Sequence, residues 1–155
     1  MIAACDRKRV MGKNGTLPWN IRADWDYFLK TTQSGVLIMG RRCYEDFIEF
    51  APARQVVVLT RNPEARFTHA TRAKDLSRGL EIAQSMGSDV WICGGADIYQ
   101  ESMSIAEELY LTRIDGEFEG DVRFPPWEEH FPFELSRRHS QEGDHRLAFL
   151  VLGKR

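Results

Sequence analysis

The sequence predicts an α/β fold: a single domain on a central mixed, mainly parallel β-sheet, with helices on both faces and a C-terminal antiparallel hairpin. Three observations predict it. Short runs that are apolar on both faces recur through the first two thirds of the chain, as strands of a covered parallel sheet require. Segments with helical periodicity follow two of these runs and precede the third. In the last third the pattern changes to alternation around tight turns, as antiparallel strands require.

Residues 2–5 (Ile-Ala-Ala-Cys) make a first short strand. Residues 10–28 hold Gly12 and Gly15 around Asn14 and then Leu17-Pro18-Trp19. So many turn formers imply an irregular, mobile loop rather than an element. Asn20 is placed to cap a helix running to about Thr32. On that helix Asp26, four before Lys30, suits an exposed ion pair. Residues 36–39 form a buried strand, and a helix follows from Arg41 to about Glu49. Residues 55–59 form a second buried strand. A helix spans 73–86, with Leu76, Leu80 and Ala83 on one face and Gly87 as its stop. Residues 89–93 form a third buried strand, leading through Gly94-Gly95 into a helix from Ala96 to about Ser102. Residues 109–114, 133–139 and 146–152 alternate, and 141–144 is a turn between the last two.

The bulk numbers exclude several classes. The chain has 155 residues, enough for one domain, and 43% of them are hydrophobic, enough for a core. A net charge of −2 with 28% charged residues suits a soluble globule and gives no attraction to nucleic acid or a membrane. No apolar run approaches the roughly 20 residues of a membrane span, and no secretory signal is expected. Cys5, Cys43 and Cys93 are odd in number and lack any CxxC, which argues against a disulfide framework and a zinc site. A reducing cytoplasm, a monomer and no metal are the expectations.

Four constellations carry chemistry. Asp24 shares a helix face with Ile21, Tyr27 and Phe28, so its carboxylate points where the apolar side chains point. A buried charge without a partner costs several kcal/mol. Arg22, the nearest basic residue, projects elsewhere. Asp24 therefore either caps a backbone turn or reaches water at the helix start, or it pairs with a ligand bearing two N–H donors in a cleft roofed by Trp19. Met39-Gly40-Arg41-Arg42 ends a strand and opens a helix with two cations, which suits anionic oxygens or is a solvated basic turn. Thr60-Arg61 follows a strand where ligands bind in open α/β sheets, and Arg61 would suit a 2′-phosphate. Gly94-Gly95 lets backbone N–H groups approach a pyrophosphate, or is a packing turn; it is not the GxGxxG fingerprint. All four sit at carboxyl ends of predicted parallel strands or at the loop facing them, one crevice with anion sites and an inward acid.

The motifs also name a family. Ile2-Ala-Ala, Val10-Met-Gly, Gly15-Thr-Leu-Pro-Trp-Asn, Ala23-Asp24, Phe28, Ile38-Met-Gly-Arg-Arg42, Gly94-Gly95 with Tyr99, Leu109-Tyr-Leu-Thr112, and Glu119-Gly-Asp121 before Phe124-Pro125 resemble dihydrofolate reductase, in order and over nearly the whole chain. The resemblance implies a dihydrofolate reductase-like domain over 1–155, with 36–103 as an adenosine-binding subdomain and the remainder as a loop subdomain. It implies a cytoplasmic oxidoreductase and antifolate target that passes a hydride from NADPH to 7,8-dihydrofolate in tetrahydrofolate biosynthesis, supporting one-carbon metabolism. Asp24 would bind the pterin and promote its protonation. Ile2 and Cys93 would turn backbone carbonyls to the pterin, with Ala3 and Tyr99 beside it. Phe28 and Phe47 would pack on the substrate, Thr112 would hydrogen-bond Asp24, and Arg54 would grip the glutamate α-carboxylate with its planar fork.

For the cofactor, Ala4, Met11, Gly12, Gly15, Thr16, Leu17 and Trp19 would border the nicotinamide, the loop from Val10 to Leu17 acting as a lid. Gly40, Arg41, Arg42, Cys43, Leu59, Thr60 and Arg61 would hold the phosphates and their surroundings. Gly94, Gly95 and Ala96, with Asp97, Ile98 and Tyr99, would lie at the pyrophosphate. Cys43 stands where the family usually has a hydroxyl, Tyr44 replaces a frequent Trp, and Ala53 replaces a common glycine before Arg54. Asp46 and Glu49 sit near the substrate tail, where neutral or basic residues are frequent. Two alternatives remain: a riboflavin-pathway NADPH reductase, which would not need the Leu-Pro-Trp loop with Asp24, and a non-catalytic folate- or dinucleotide-binding relic.

Overall fold

The computed structural model describes every residue except Gly15 and Ser88. The chain divides into two compact units, one made of Met1–Lys30 with Ser102–Arg155 and one of Thr31–Glu101.

In the first unit four strands pair in the order β1 (Ile2–Cys5), β7 (Glu108–Asp115), β10 (His145–Gly153), β9 (Phe133–Glu142). The β1–β7 pairing is parallel and the other two are antiparallel. The register sets the chemistry of each face. Thr112 lies between Ala4 and Phe149, and Ile114 lies beside Leu147. This row of the sheet meets Trp19, Ile21, Ala23 and Tyr27 in one apolar cluster. Tyr27 stacks on Phe149 at 4.2 Å between ring centres. The α1 helix (Arg22–Thr31) is thereby laid on the sheet by its apolar side. Gly143, at φ 57°, turns the closing hairpin.

In the second unit all four strands are parallel, in the order β5 (Thr71–Ala73), β4 (Gln55–Leu59), β3 (Val36–Gly40), β6 (Val90–Ile92). The α2 helix (Arg41–Phe47) follows β3, and α4 (Ala96–Ser102) follows β6. Leu76 and Ala83 of α3 (Leu76–Met86) pack with Val36, Ile38, Val57 and Ala73 in a second core. Strands as apolar as Val36-Leu-Ile-Met39 and Val56-Val-Val58 are buried at every position, as covered strands must be.

The fold class is the one the sequence predicts. Several elements differ in detail. Residues 10–12, expected as loop, form β2 (Val10–Gly12), which pairs antiparallel with β8 (Val122–Arg123). The partner lies more than a hundred residues away, so no local signal marks the strand. Residues 71–73 form β5 beside β4, which removes Ala73 from the start of α3. Asp75 caps that helix by accepting the Arg78 N–H at 2.9 Å. The α2 helix stops at Phe47 rather than near Glu49.

Two corrections fall on α1. Asn20 is not its cap: the helix starts at Arg22, and the Glu142 carboxylate accepts the Arg22 and Ala23 N–H groups at 2.8 and 2.9 Å. A carboxylate is also the favourable charge at a helix start. Asp26 pairs with Arg22 at 3.5 Å, not with Lys30. Both partners lie four residues away, and such exposed pairs differ by only tenths of a kcal/mol.

Candidate active site

Asp24 sits in the first turn of α1, on the side that faces the sheet. It is 8% exposed, so its carboxylate is withdrawn from bulk water. Its Oδ2 accepts the Trp19 indole N–H at 3.4 Å. The Thr112 hydroxyl also donates to the carboxylate. Thr112 reaches it because β7 places that side chain in the row that α1 covers. Among the described residues, no Arg or Lys forms an ion pair with Asp24. Burial pushes its carboxyl up from 3.8 to about 6, and the two hydrogen bonds hold it from rising further. The turn-capping alternative therefore does not describe this acid.

Other expected positions of this unit surround the same face. Ile2 and Ala3 are buried in β1, and Ala4 packs into the cluster beside Trp19. Phe28 is half-buried on α1, with Trp25 against its ring at 5.4 Å. Trp19 is buried, its ring centre 5.4 Å from that of Phe118 in an edge-on arrangement. Met11 and Gly12 belong to β2. Thr16 bridges back to Lys13, and Leu17 is exposed. Gly15 lies outside the described residues.

In the unit of Thr31–Glu101, the ends of β3 and β6 meet. The Gly40 N–H donates to the Gly94 carbonyl at 2.9 Å, and the Cys93 N–H to the Ile38 carbonyl at 2.8 Å. Gly94 has φ +124°, a conformation closed to side chains, and a Cβ there would lie 3.1 Å from Cys43 Sγ. The Gly94–Gly95 peptide is cis. The Gly95 carbonyl then accepts the Tyr99 N–H in the first turn of α4, which begins at Ala96 and carries the exposed Asp97 and the half-buried Ile98. Gly40 occupies the cap position of α2, and no side chain caps that helix. Gly40, Cys43, Gly94, Gly95 and Tyr99 are thus brought together.

The cations of this unit stand at its surface. Arg41 and Arg42 are exposed, and Arg41 pairs with Glu45 at 2.6 Å. Leu59 ends β4, and Thr60 and exposed Arg61 follow it. Arg54 lies 6.0 Å from the Phe47 ring centre and donates to the Thr32 hydroxyl at 3.0 Å. Burial pushes the Cys43 thiol up to about 11 and the Cys93 thiol higher still, so both are neutral thiols. Cys5, Cys43 and Cys93 are all free.

Sequence reasoning missed Glu142 and Thr32. Glu142 fixes the start of the helix that carries Asp24, yet a glutamate before a hairpin glycine has no local mark of that task. Thr32 is fully buried and holds Arg54, and a hydroxyl at a helix end reads as an ordinary cap.

Comparison with known proteins places this geometry. The dihydrofolate reductase family model matches residues 1–153. A dihydrofolate reductase of Bacillus subtilis is 37% identical over 128 residues, 83% of this chain and 76% of that protein. One of Staphylococcus haemolyticus is 34% identical, over 81% of this chain and 75% of that protein. A solved structure of dihydrofolate reductase from Enterococcus faecalis, complexed with NADP(H) and RAB-propyl, superposes with a TM-score of 0.89 at 25% identity, covering 98% of this chain and 93% of that one. The match leaves no place for the riboflavin-pathway alternative. With a buried acid on the first helix that forms no ion pair among the described residues, and glycines joined at the ends of two parallel strands, the chain belongs to the dihydrofolate reductase family.

Proposed function

We propose that this chain transfers a hydride from NADPH to 7,8-dihydrofolate to give tetrahydrofolate, with Asp24 as its proton-handling acid. One observation carries the reading: a buried carboxylate with two neutral donors, no ion-pair partner among the described residues, and a pKa raised to about 6. Such a group is left with acceptor capacity for two N–H donors of a heterocycle, and it exchanges protons near neutral pH.

The residues present fit the cofactor. A Cβ built on Gly95 meets nothing within 4 Å, so the chain leaves open space beside the α4 terminus. The α2 terminus has no side-chain cap and carries exposed Arg41 and Arg42, while Arg61 stands exposed just after β4. Gly40, Cys43, Thr60 and Gly94–Tyr99 would hold the phosphates with these arginines, while Ala4, Met11, Gly12, Thr16, Leu17 and Trp19 border the nicotinamide. Bound NADPH supplies the hydride. Ile2, Ala3, Phe28 and Thr112 orient the pterin at Asp24. Within the Thr31–Glu101 unit, Phe47, Cys93, Tyr99 and Arg54 are the positions that the family resemblance assigns to the substrate, Arg54 to its α-carboxylate. Asp24 holds a proton on its carboxyl and passes it through water toward pterin N5. Because that proton is lost as pH rises through about 6, the rate of the hydride step falls above it. Free thiols suit a reducing compartment, and with the modest net charge we read the protein as a cytoplasmic monomer.

The test is loss of NADPH absorbance on adding dihydrofolate, with an antifolate as control. Antifolate-sensitive oxidation supports the reading. Cofactor binding without turnover would support the non-catalytic relic instead.

A further inference from the structure

The sheet of the first unit has a second face, and it is built differently from the one Asp24 uses. Cross-strand partners share a face. Asp115 lies beside Arg146, and Ala148 lies between Arg113 and His139. These residues alternate with Thr112, Ile114, Leu147 and Phe149, so they project from the opposite side. Together with Arg7 from the turn after β1 they line a cavity of about 360 Å³. Ala148, the small residue in the middle of the row, forms its floor.

The charge in this cavity is one-sided. Three guanidinium groups, those of Arg7, Arg113 and Arg146, and one imidazole face a single carboxylate, Asp115. Asp115 is already taken by an ion pair with Arg7. Arg146 and His139 form no salt bridge among the described residues. Arg113 is held in place, its guanidinium 5.0 Å from the Trp127 ring centre and its Nη2 donating to the Arg7 carbonyl at 3.4 Å. Its Nε is buried and has no hydrogen-bond partner among the described residues. In a chain of net charge −2, three arginines and a histidine thus gather beside one carboxylate.

We propose that this cavity is a binding site for a small polyanion with tetrahedral phosphoryl or carboxylate groups, held by Arg113, Arg146 and His139. Guanidinium forks and a ring N–H match such oxygens in geometry and charge. The volume admits a ligand of the size of pyrophosphate or a tricarboxylate. None of the cavity's lining residues is among those assigned to NADPH or dihydrofolate, and within its own unit it lies on the side of β7 away from Thr112.

The test uses the NADPH-saturated protein, so that the cofactor's own phosphate contacts are filled, and titrates it with inorganic pyrophosphate and, in a second arm, citrate. Amide chemical shifts of Arg113, His139 and Ala148 are expected to move saturably. The Arg146→Gln variant, exposed and remote from the core, is expected to bind the preferred anion about tenfold more weakly, as loss of one charged hydrogen bond predicts. The Ala148→Leu variant, which raises the floor, is expected to weaken it also. Tighter binding of pyrophosphate identifies a phosphorylated ligand, and tighter binding of citrate a carboxylate. Undiminished affinity in both variants, or shifts at Arg41, Arg42 and Arg61 instead, overturns the site, whatever the reductase activity is found to be.

Discussion

Two aspartates are buried in the first unit, and they are buried in opposite ways. Asp6, at the turn after β1, is fully enclosed. Its Oδ1 accepts the Lys8 and Val10 N–H groups, both at 2.8 Å, and its Oδ2 accepts the Phe118 N–H at 2.7 Å. Asp24 is enclosed almost as well but receives one hydroxyl and one long indole bond. The first acid is consumed by the backbone it organises, including Arg9 at φ 67° in the same turn. The second keeps acceptor capacity and carries a raised pKa. Burial alone therefore does not separate a structural acid from a reacting one. The number and kind of donors around it does.

The largest expected effect breaks the comparison at Asp24. Asp24→Asn should lower the hydride-transfer rate at neutral pH by about 100-fold or more, the usual worth of a positioned proton donor. Single-turnover kinetics with bound NADPH measure it, and near-normal rates would remove Asp24 from the chemistry.

Asp6→Ala should do the reverse. It strands three backbone donors and should cost about 3 kcal/mol of stability, a Tm lower by roughly 6–12 °C. Below that Tm, kcat should stay within a few-fold of normal. A large kcat loss in fully folded protein would mean the two acids are not divided as their donors suggest.

A third prediction concerns Asp24 and stability. Its folded pKa, about 6, lies above its ordinary 3.8. The folded state thus holds the proton more tightly, and the contribution to stability is present below pH ~4 and lost as pH rises through 6. At pH 7 the ionised carboxylate costs about 2–3 kcal/mol by this linkage. Asp24→Asn should stabilise the ligand-free protein by up to that amount at pH 7 and not at pH ~4, which denaturant melts at the two pH values would show. An equal effect at both would refute the shifted titration.

The smallest effect sharpens the comparison. Thr112→Val removes a donor that holds the Asp24 carboxyl down. The pH at which the hydride step declines should rise, by up to about one unit. An unmoved pH profile would show that the hydroxyl does not act on the carboxylate.

Much of this was legible in the sequence because it is written locally. The buried strands 36–39 and 55–59, the helix 96–102 and the inward turn of Asp24 follow from the spacing of apolar residues. The cap of α3 was also there to be read, in Asp75 three before Arg78, though periodicity alone starts that helix too early. Strands as short as β2, β5 and β8 carry no such period and exist only because a neighbour pairs with them.

What the sequence determined by itself was the α/β class, the buried runs and the presence of one acid on an apolar helix face. These depend on periodicity and polarity within a dozen residues. Tertiary structure alone decided that Glu142 starts the helix of Asp24, that Thr112 and Trp19 are its donors, and that Arg113, His139 and Arg146 converge on Ala148. The Glu142 and Thr112 contacts depend on strand register between residues far apart in the chain, 120 positions for Glu142 and Arg22, whereas Trp19 stands five residues from Asp24 and meets it only because the fold buries both on one side. A shift of one residue would send every side chain to the other face.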